Sequence, residues 1–233
     1  MEPSGYEKAL AIAGNRKYVK RNFVSKPVLS FAYTRYRLLR PLLKFYHKTL
    51  VQNNSPWLSP ASIEILDAIL KPSMMGFEFG SGRSTLFTAK RINHLVSLEH
   101  DPTWFKMVQQ QLTSSGQKNV EYHLIEQTKA SKPELIRQRW DDFVVGPTPA
   151  TCYVQYYSLI DQYPDESFDF ILVDGRARTE CAMHAEPKLK KGGIIILDNS
   201  ERLRYSPVHD RFRTWPKVFT STGITDTTFW FKP

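Results

Sequence analysis

The strongest constraint on this chain is a rhythm of short, continuous apolar runs separated by helix-like stretches. Met74–Phe79, Leu95–Leu98, Val120–Ile125, Phe168–Val173 and Ile194–Leu197 are four to six residues long. Such runs suit strands buried on both faces, which is the situation of a parallel sheet covered by helices. Between and before them lie helical patterns: Ala61–Leu70, ended by Pro72; Ser84–Arg91; Pro102–Leu112, with Asp101 as N-cap; and Thr179–Lys190. Gly192-Gly193 reads as the turn into the fifth run. The closing stretch WPKVFTSTGITDTTFWFKP holds two β-rich segments around Gly223, which predicts an antiparallel hairpin. The expectation is an α/β fold: a doubly wound, mostly parallel seven-stranded sheet with a C-terminal antiparallel hairpin. Ligands of such sheets bind at the carboxyl ends of the strands, so the chemistry should lie in the strand-to-helix loops.

Composition sets the frame around this core. The chain has 233 residues, 41% hydrophobic and 24% charged, which suits one ordinary domain plus an extension. It has no run of about 18 uncharged apolar residues to span a membrane. Its start lacks the basic-then-apolar order of a secretory signal. Two cysteines, Cys152 and Cys181, support neither a disulfide scaffold nor a cysteine zinc site, and a reducing, cytoplasmic setting is expected.

The net charge of +9 is unevenly placed. Eleven Lys and Arg and no Asp or Glu lie between Lys8 and Ile63, whereas Glu64–Pro233 carries 21 residues of each sign. NNSPWLSP (Asn53–Pro60) marks a boundary between a basic, partly helical extension, residues 1–60, and a neutral domain, residues 61–233. Two functional readings of residues 8–52 are peripheral contact with an anionic membrane and contact with nucleic acid. The plain reading is an arm that packs its apolar side on the domain.

The first strand runs into Glu78-Phe79-Gly80-Ser81-Gly82-Arg83-Ser84-Thr85. Two glycines permit a tight turn and close approach of a ligand to the main chain. Thr85 stands where the dinucleotide fingerprint requires its third glycine, and Glu78 would repel a pyrophosphate but suit a ligand carrying positive charge. The second strand ends in Glu99-His100, about 20 positions on, where an acid accepts hydrogen bonds from ribose hydroxyls.

FEFGSGRST followed by LVSLEHD resembles motifs I and II of the class I S-adenosylmethionine-dependent methyltransferases, and the similarity extends through VDGRARTECAMHAEPKLKKGGIIILDNS to the closing hairpin. The resemblance implies a Rossmann-like domain that binds S-adenosylmethionine. It implies that Gly80, Ser81, Gly82 and Ser84 line the cofactor and that Glu78 lies near its amino group. Glu99 would bind the ribose and His100 would lie beside the adenine. Glu126 is the nearest match to the polar residue that meets the adenine amino group.

The fourth strand ends in Asp174-Gly175-Arg176 and the fifth in Asp198-Asn199. If the two are neighbours, Asp174, Asp198 and Asn199 converge as hard oxygen ligands suited to Mg²⁺. The pattern is similar to the cation-dependent catechol-type O-methyltransferases. Those carry a lysine base three residues after the first Asp, where this chain has Ala177. The alternative leaves Asp174 and Arg176 to position substrate, with Asp198-Asn199 capping the next segment. Arg178, Arg202 and Arg204 crowd the same rim. The aromatic insert Glu126–Glu166, with Trp140, Phe143, Tyr153, Tyr156 and Tyr157, reads either as a wall of an acceptor pocket or as ordinary packing. The functional expectation is methyl transfer to an oxygen of a small molecule or saccharide. A non-catalytic nucleoside-binding module and an RNA methyltransferase using the basic arm are the alternatives.

Overall fold

The computed structural model describes residues 3–14, 55–128, 150–221 and 225–233. Their elements, in chain order, are α1 (Gly5–Gly14), α2 (Pro60–Ile69), β1 (Met75–Phe79), α3 (Arg83–Ala89), β2 (His94–Glu99), α4 (Pro102–Ser114) and β3 (Val120–Leu124). Then come α5 (Val154–Ser158), β4 (Phe168–Val173), α6 (Arg178–Lys188), β5 (Leu189–Asp198), α7 (Ser206–Arg211), β6 (Lys217–Ser221) and β7 (Asp226–Phe231).

The seven strands form one sheet in the order β3-β2-β1-β4-β5-β7-β6. The first five pair in parallel; β7 is antiparallel to both β5 and β6. The chain builds outward from β1 in one direction through β2 and β3, then returns to lay β4 and β5 on the other side. The switch point therefore lies between the carboxyl ends of β1 and β4, and the crevice of such sheets opens there. Asp174 N donates to Phe79 O at 2.9 Å, so the two strand ends stay paired to their last residues.

The apolar runs are buried on both faces, as their continuity requires. One face packs Phe77, Phe79, Ile171, Val173 and Ile195 under α5 and α6. The other packs Phe170, Leu172, Ile194, Ile196 and Phe229 under α1 and α2. Helix α1 joins this second layer: Ala9 is fully buried, and the Tyr6 ring meets Phe231 edge-on at 5.5 Å between centroids. Helix α2 starts where Ser59 accepts the Ser62 amide and Pro60 takes the first turn, whose amide would be unpartnered in any case.

Two expectations are corrected. Gly192-Gly193 is not a helix-to-strand turn. Helix α6 stops at Lys188, and β5 begins at Leu189, opposite Phe168; the pairing then jumps to Phe170 with Ile194. The intervening residues form a bulge within β5, with Gly192 at φ 74°. Leu189 is fully buried, and its side chain draws the chain into the sheet before the glycines are reached. The expected helix over Tyr153–Gln162 is three short pieces: a 3-10 turn at Ala150–Tyr153, α5, and a second 3-10 turn at Leu159–Gln162. The closing hairpin forms, with Gly223 itself outside the described residues, as are Pro133–Phe143 and nearly all of the basic arm beyond Gly14. Among the described residues no helix is long and apolar enough to cross a membrane.

Candidate functional site

Two loops dovetail at the switch point, and glycine makes this possible. Gly80 sits at φ 92°, a left-handed conformation, and a Cβ there would lie 2.6 Å from the Gly175 backbone. A Cβ on Gly175 would lie 2.1 Å from Tyr156 Oη and 3.0 Å from Gly80 N. The β1 and β4 loops thus touch main chain to main chain. Gly82 differs: a Cβ there would meet only the Trp104 ring, at 3.8 Å, so that side of the turn is open.

Glu78 is the penultimate residue of β1 and is 1% exposed. Its neighbour in the parallel register is Ser97, whose Oγ donates to Glu78 Oε2 at 2.7 Å. Thr85 Oγ1 donates to the same oxygen and accepts from Gly82 N at 2.9 Å. The residue that breaks the dinucleotide fingerprint therefore ties the glycine turn to the buried acid. Glu78 Oε1 has no partner among the described residues. Burial pushes the Glu78 carboxyl up to about 7, and the hydroxyls of Ser84, Thr85 and Ser97 pull it only part of the way back. A buried carboxylate with one unmet oxygen calls for a cationic donor.

Glu99 ends β2 and is saturated by its surroundings. Oε2 accepts from Ser81 N at 3.2 Å and Ser81 Oγ at 2.8 Å; Oε1 accepts from the amides of His100 and Asp101 at 2.8 and 3.0 Å. His100 Nδ1 also stands 2.8 Å from Oε1, off the axis of a hydrogen bond. Burial raises this carboxyl, but these donors outweigh it and hold Glu99 below the usual carboxylate range. Ser81 is fixed further by Tyr122 Oη at 2.6 Å and by Trp104 Nε1, which donates to Ser81 O at 2.8 Å. Tyr122 in turn stacks on Phe105 at 4.3 Å. On the other side Arg176 Nε donates to His100 Nε2 at 3.2 Å, which joins the β4 loop to the β2 end.

The structure brings Asp174 and Asp198 together, as expected, but with Arg178 between them. Arg178 Nη2 is 2.8 Å from Asp174 Oδ1 and donates to Asp174 O at 2.9 Å; Nε donates to Gly175 O at 3.0 Å. Nη1 donates to Asp198 O and lies 3.8 Å from Asp198 Oδ2. Asp198 Oδ1 is taken by Thr227 Oγ1 at 2.9 Å, and Asn199 adopts φ 53° at the turn after β5. The expected Mg²⁺ site of Asp174, Asp198 and Asn199 is thus corrected: a guanidinium fills the space between the two carboxylates. No cluster of three metal-binding side chains is present among the described residues. Burial, then the charge of Asp198, raises the Asp174 carboxyl, and Arg178 opposes both. Arg178 itself is held firmly protonated by the two acids.

The remaining sequence candidates divide. Ser84 is buried in the first turn of α3, beside Glu78, whereas Glu126 lies exposed on the loop after β3. Tyr153 and Tyr156 are buried beside His100, and Tyr157 packs on His184 at 4.9 Å between ring centroids; residues 129–149 of the insert, Trp140 and Phe143 included, lie outside the described residues. His184 pairs with Asp161 at 2.7 Å and Cys181 is buried against Arg176 O, so the two do not form a joint site. Sequence reasoning used Thr85 only as the absent third glycine and gave no part to Ser97 or Tyr122. Ser97 had a usable signal: it is the in-register neighbour of Glu78 once β1 and β2 are aligned in parallel.

No family model and no curated protein matches the chain. Solved structures do. A methyltransferase-like protein from Silicibacter pomeroyi aligns with 76% of this chain and 89% of its own, at 20% identity and TM-score 0.53. A Staphylococcus aureus protein named after the caffeoyl-CoA O-methyltransferases aligns over 87% and 99%, at 12% identity and TM-score 0.52. A precorrin 8W decarboxylase from Methanobacterium thermoautotrophicum aligns over 78% and 95%, at 14% identity and TM-score 0.51. These likenesses, with the strand order, establish the fold: the chain has the Rossmann-like, seven-stranded architecture of solved proteins named as methyltransferases.

Proposed function

We propose that this protein is an S-adenosylmethionine-dependent methyltransferase acting on an oxygen of a small molecule or saccharide. The observation that carries the reading is Glu78: a buried carboxylate, one oxygen unmet, directly before a glycine turn that is open at Gly82. A nicotinamide dinucleotide would bring a pyrophosphate to this turn, where Glu78 opposes it; an ammonium group is the complementary charge.

The residues present fit the cofactor. Glu78 would take its amino group and Glu99 its ribose hydroxyls. Ser81 Oγ, now on Glu99 and Tyr122, would yield or share its place. When bound, the cofactor supplies an electrophilic methyl group on a sulfonium. The protein's part is to align the acceptor in line with that methyl and to exclude water. Asp174 would hold or take the acceptor's proton: its side chain is 30% exposed, and burial and the charge of Asp198 raise its carboxyl. Among the described residues only the Nε of Arg176 is engaged, on His100, which leaves its terminal N–H groups for an oxygen of the acceptor. Residues 8–52 would bring the enzyme to an anionic membrane surface.

Calorimetric titration with S-adenosylmethionine and S-adenosylhomocysteine tests the cofactor assignment. Saturable binding by wild type, weakened in Glu99→Ala, supports it and justifies a screen of hydroxyl acceptors. Absence of binding by folded protein rejects it. Binding without turnover on any acceptor would favour the non-catalytic nucleoside-binding alternative.

A further inference from the structure

Arg178 has five N–H groups, and five oxygens surround its guanidinium. Three are backbone carbonyls, of Asp174, Gly175 and Asp198; two belong to the carboxylates of Asp174 and Asp198. Four of the five lie within hydrogen-bond distance, and the fifth, Asp198 Oδ2, is at 3.8 Å. The Arg178 side chain is 10% exposed. An all-oxygen shell of mixed carboxylates and carbonyls, at the ends of two adjacent strands, is the environment a hard divalent cation takes. Here the chain supplies the cation itself.

The placement follows from local geometry. Arg178 is four residues after Asp174, across the junction from β4 to α6, and Ala177 at φ 46° turns the chain left-handed between them. That turn makes Arg178 the first residue of α6, from which its side chain reaches back to the end of β4. The clamp also extends beyond the acids. By holding Gly175 O, Arg178 fixes the segment that packs on Gly80, so the position of the glycine turn depends on it.

We propose that Arg178 is a built-in cation at this sheet edge, a positioning residue that takes the place of a divalent metal and keeps the ligand crevice assembled without one. Asp198 is buried and Asp174 is 30% exposed, so removing their shared cation leaves one buried and one half-buried carboxylate facing each other, which is destabilising. Removing the arginine should therefore create an appetite for a metal ion where wild type has none. This inference does not require methyl transfer, and its test uses neither cofactor nor acceptor.

The experiment compares full-length wild type, Arg178→Ala and the double variant Arg178→Ala/Asp198→Asn by thermal melting with EDTA, Mg²⁺ or Mn²⁺, alongside electron paramagnetic titration of Mn²⁺. Wild type is expected to melt at the same temperature in all three conditions. Arg178→Ala should melt lower in EDTA, recover part of the loss with either ion, and bind Mn²⁺. The double variant should neither recover nor gain Mn²⁺ binding. If Arg178→Ala can be obtained only unfolded, refolding it with and without Mg²⁺ replaces the melting curve. Recovery only with the ion supports the proposal; equal failure in both overturns it. It is also overturned by an Arg178→Ala variant as stable as wild type, by one that no ion restores, or by Mn²⁺ binding to wild type that Asp174→Asn abolishes.

Discussion

The two halves of the crevice carry the same kind of side chain and treat it in opposite ways. At the β1–β2 end, Glu78 and Glu99 are met by hydroxyl and amide donors, and one Glu78 oxygen is left unmet. At the β4–β5 end, Asp174 and Asp198 are met by a full positive charge from their own chain. Neutral donors tune a carboxylate but leave it a charge to satisfy; a guanidinium closes the account internally. An acid at a strand end therefore calls for a cationic ligand only when no cation reaches it from the same fold.

The sharpest way to break this comparison is at the contact where the halves meet. Gly175→Ala places a methyl 2.1 Å from Tyr156 Oη and 3.0 Å from Gly80 N. It should cost about 3 kcal/mol in urea unfolding, the upper end of what core overpacking costs. A loss below about 1 kcal/mol would mean that the loops part easily.

The next effect comes from proton linkage at Glu78. Its carboxyl is raised from 4.5 to about 7, so the native state binds the proton more tightly than the unfolded chain. The contribution is fully present below about pH 4.5 and is lost as pH rises through about 7; it amounts to at most about 3 kcal/mol. The difference in stability between wild type and Glu78→Gln should change by that sign across this window. Binding of S-adenosylhomocysteine should run the other way in wild type, strengthening as Glu78 ionises, and should lose this pH dependence in Glu78→Gln. A flat wild-type profile would remove Glu78 from ligand contact.

Glu99→Ala should weaken cofactor binding at least tenfold, about 1.4 kcal/mol, and should also lower the melting temperature, because it leaves the amides of Ser81, His100 and Asp101 without their acceptor. The smallest change is expected from Tyr156→Phe. Its hydroxyl is buried without a partner among the described residues, so removing it should be neutral or stabilising by about 1 kcal/mol or less. A clear loss of stability would show that the hydroxyl has a role the packing does not reveal.

Much of this molecule is legible in its sequence because parallel strands announce themselves. The runs ending at Phe79, Val173 and Leu197 had to be buried on both faces, and their ends had to carry the loops with Gly80, Asp174 and Asp198. What stayed hidden depends on register and reach. Thr85 reads as a missing glycine until the turn brings its hydroxyl to Glu78. Arg178 reads as one of several rim charges, although its spacing of four from Asp174 was a usable hint. The β5 bulge was misread because two adjacent glycines signal a turn equally well inside a strand and before one. Of residues 8–52, from which contact with a membrane or nucleic acid was expected, all beyond Gly14 lie outside the described residues.

The strand order has a consequence for how the protein comes into being. Strand β7 follows β6 in the chain yet lies between β6 and β5, fully buried along its length. During synthesis, β6 emerges with no strand to join and β5 waits with an open edge. A nascent chain stopped before Asp226 would present that edge, and the apolar Ile194–Leu197 behind it, to whatever strand it met first. The sheet cannot be sealed gradually from one side; it closes only when its innermost late piece is in place, and until then the edge of β5 is open to wrong pairing.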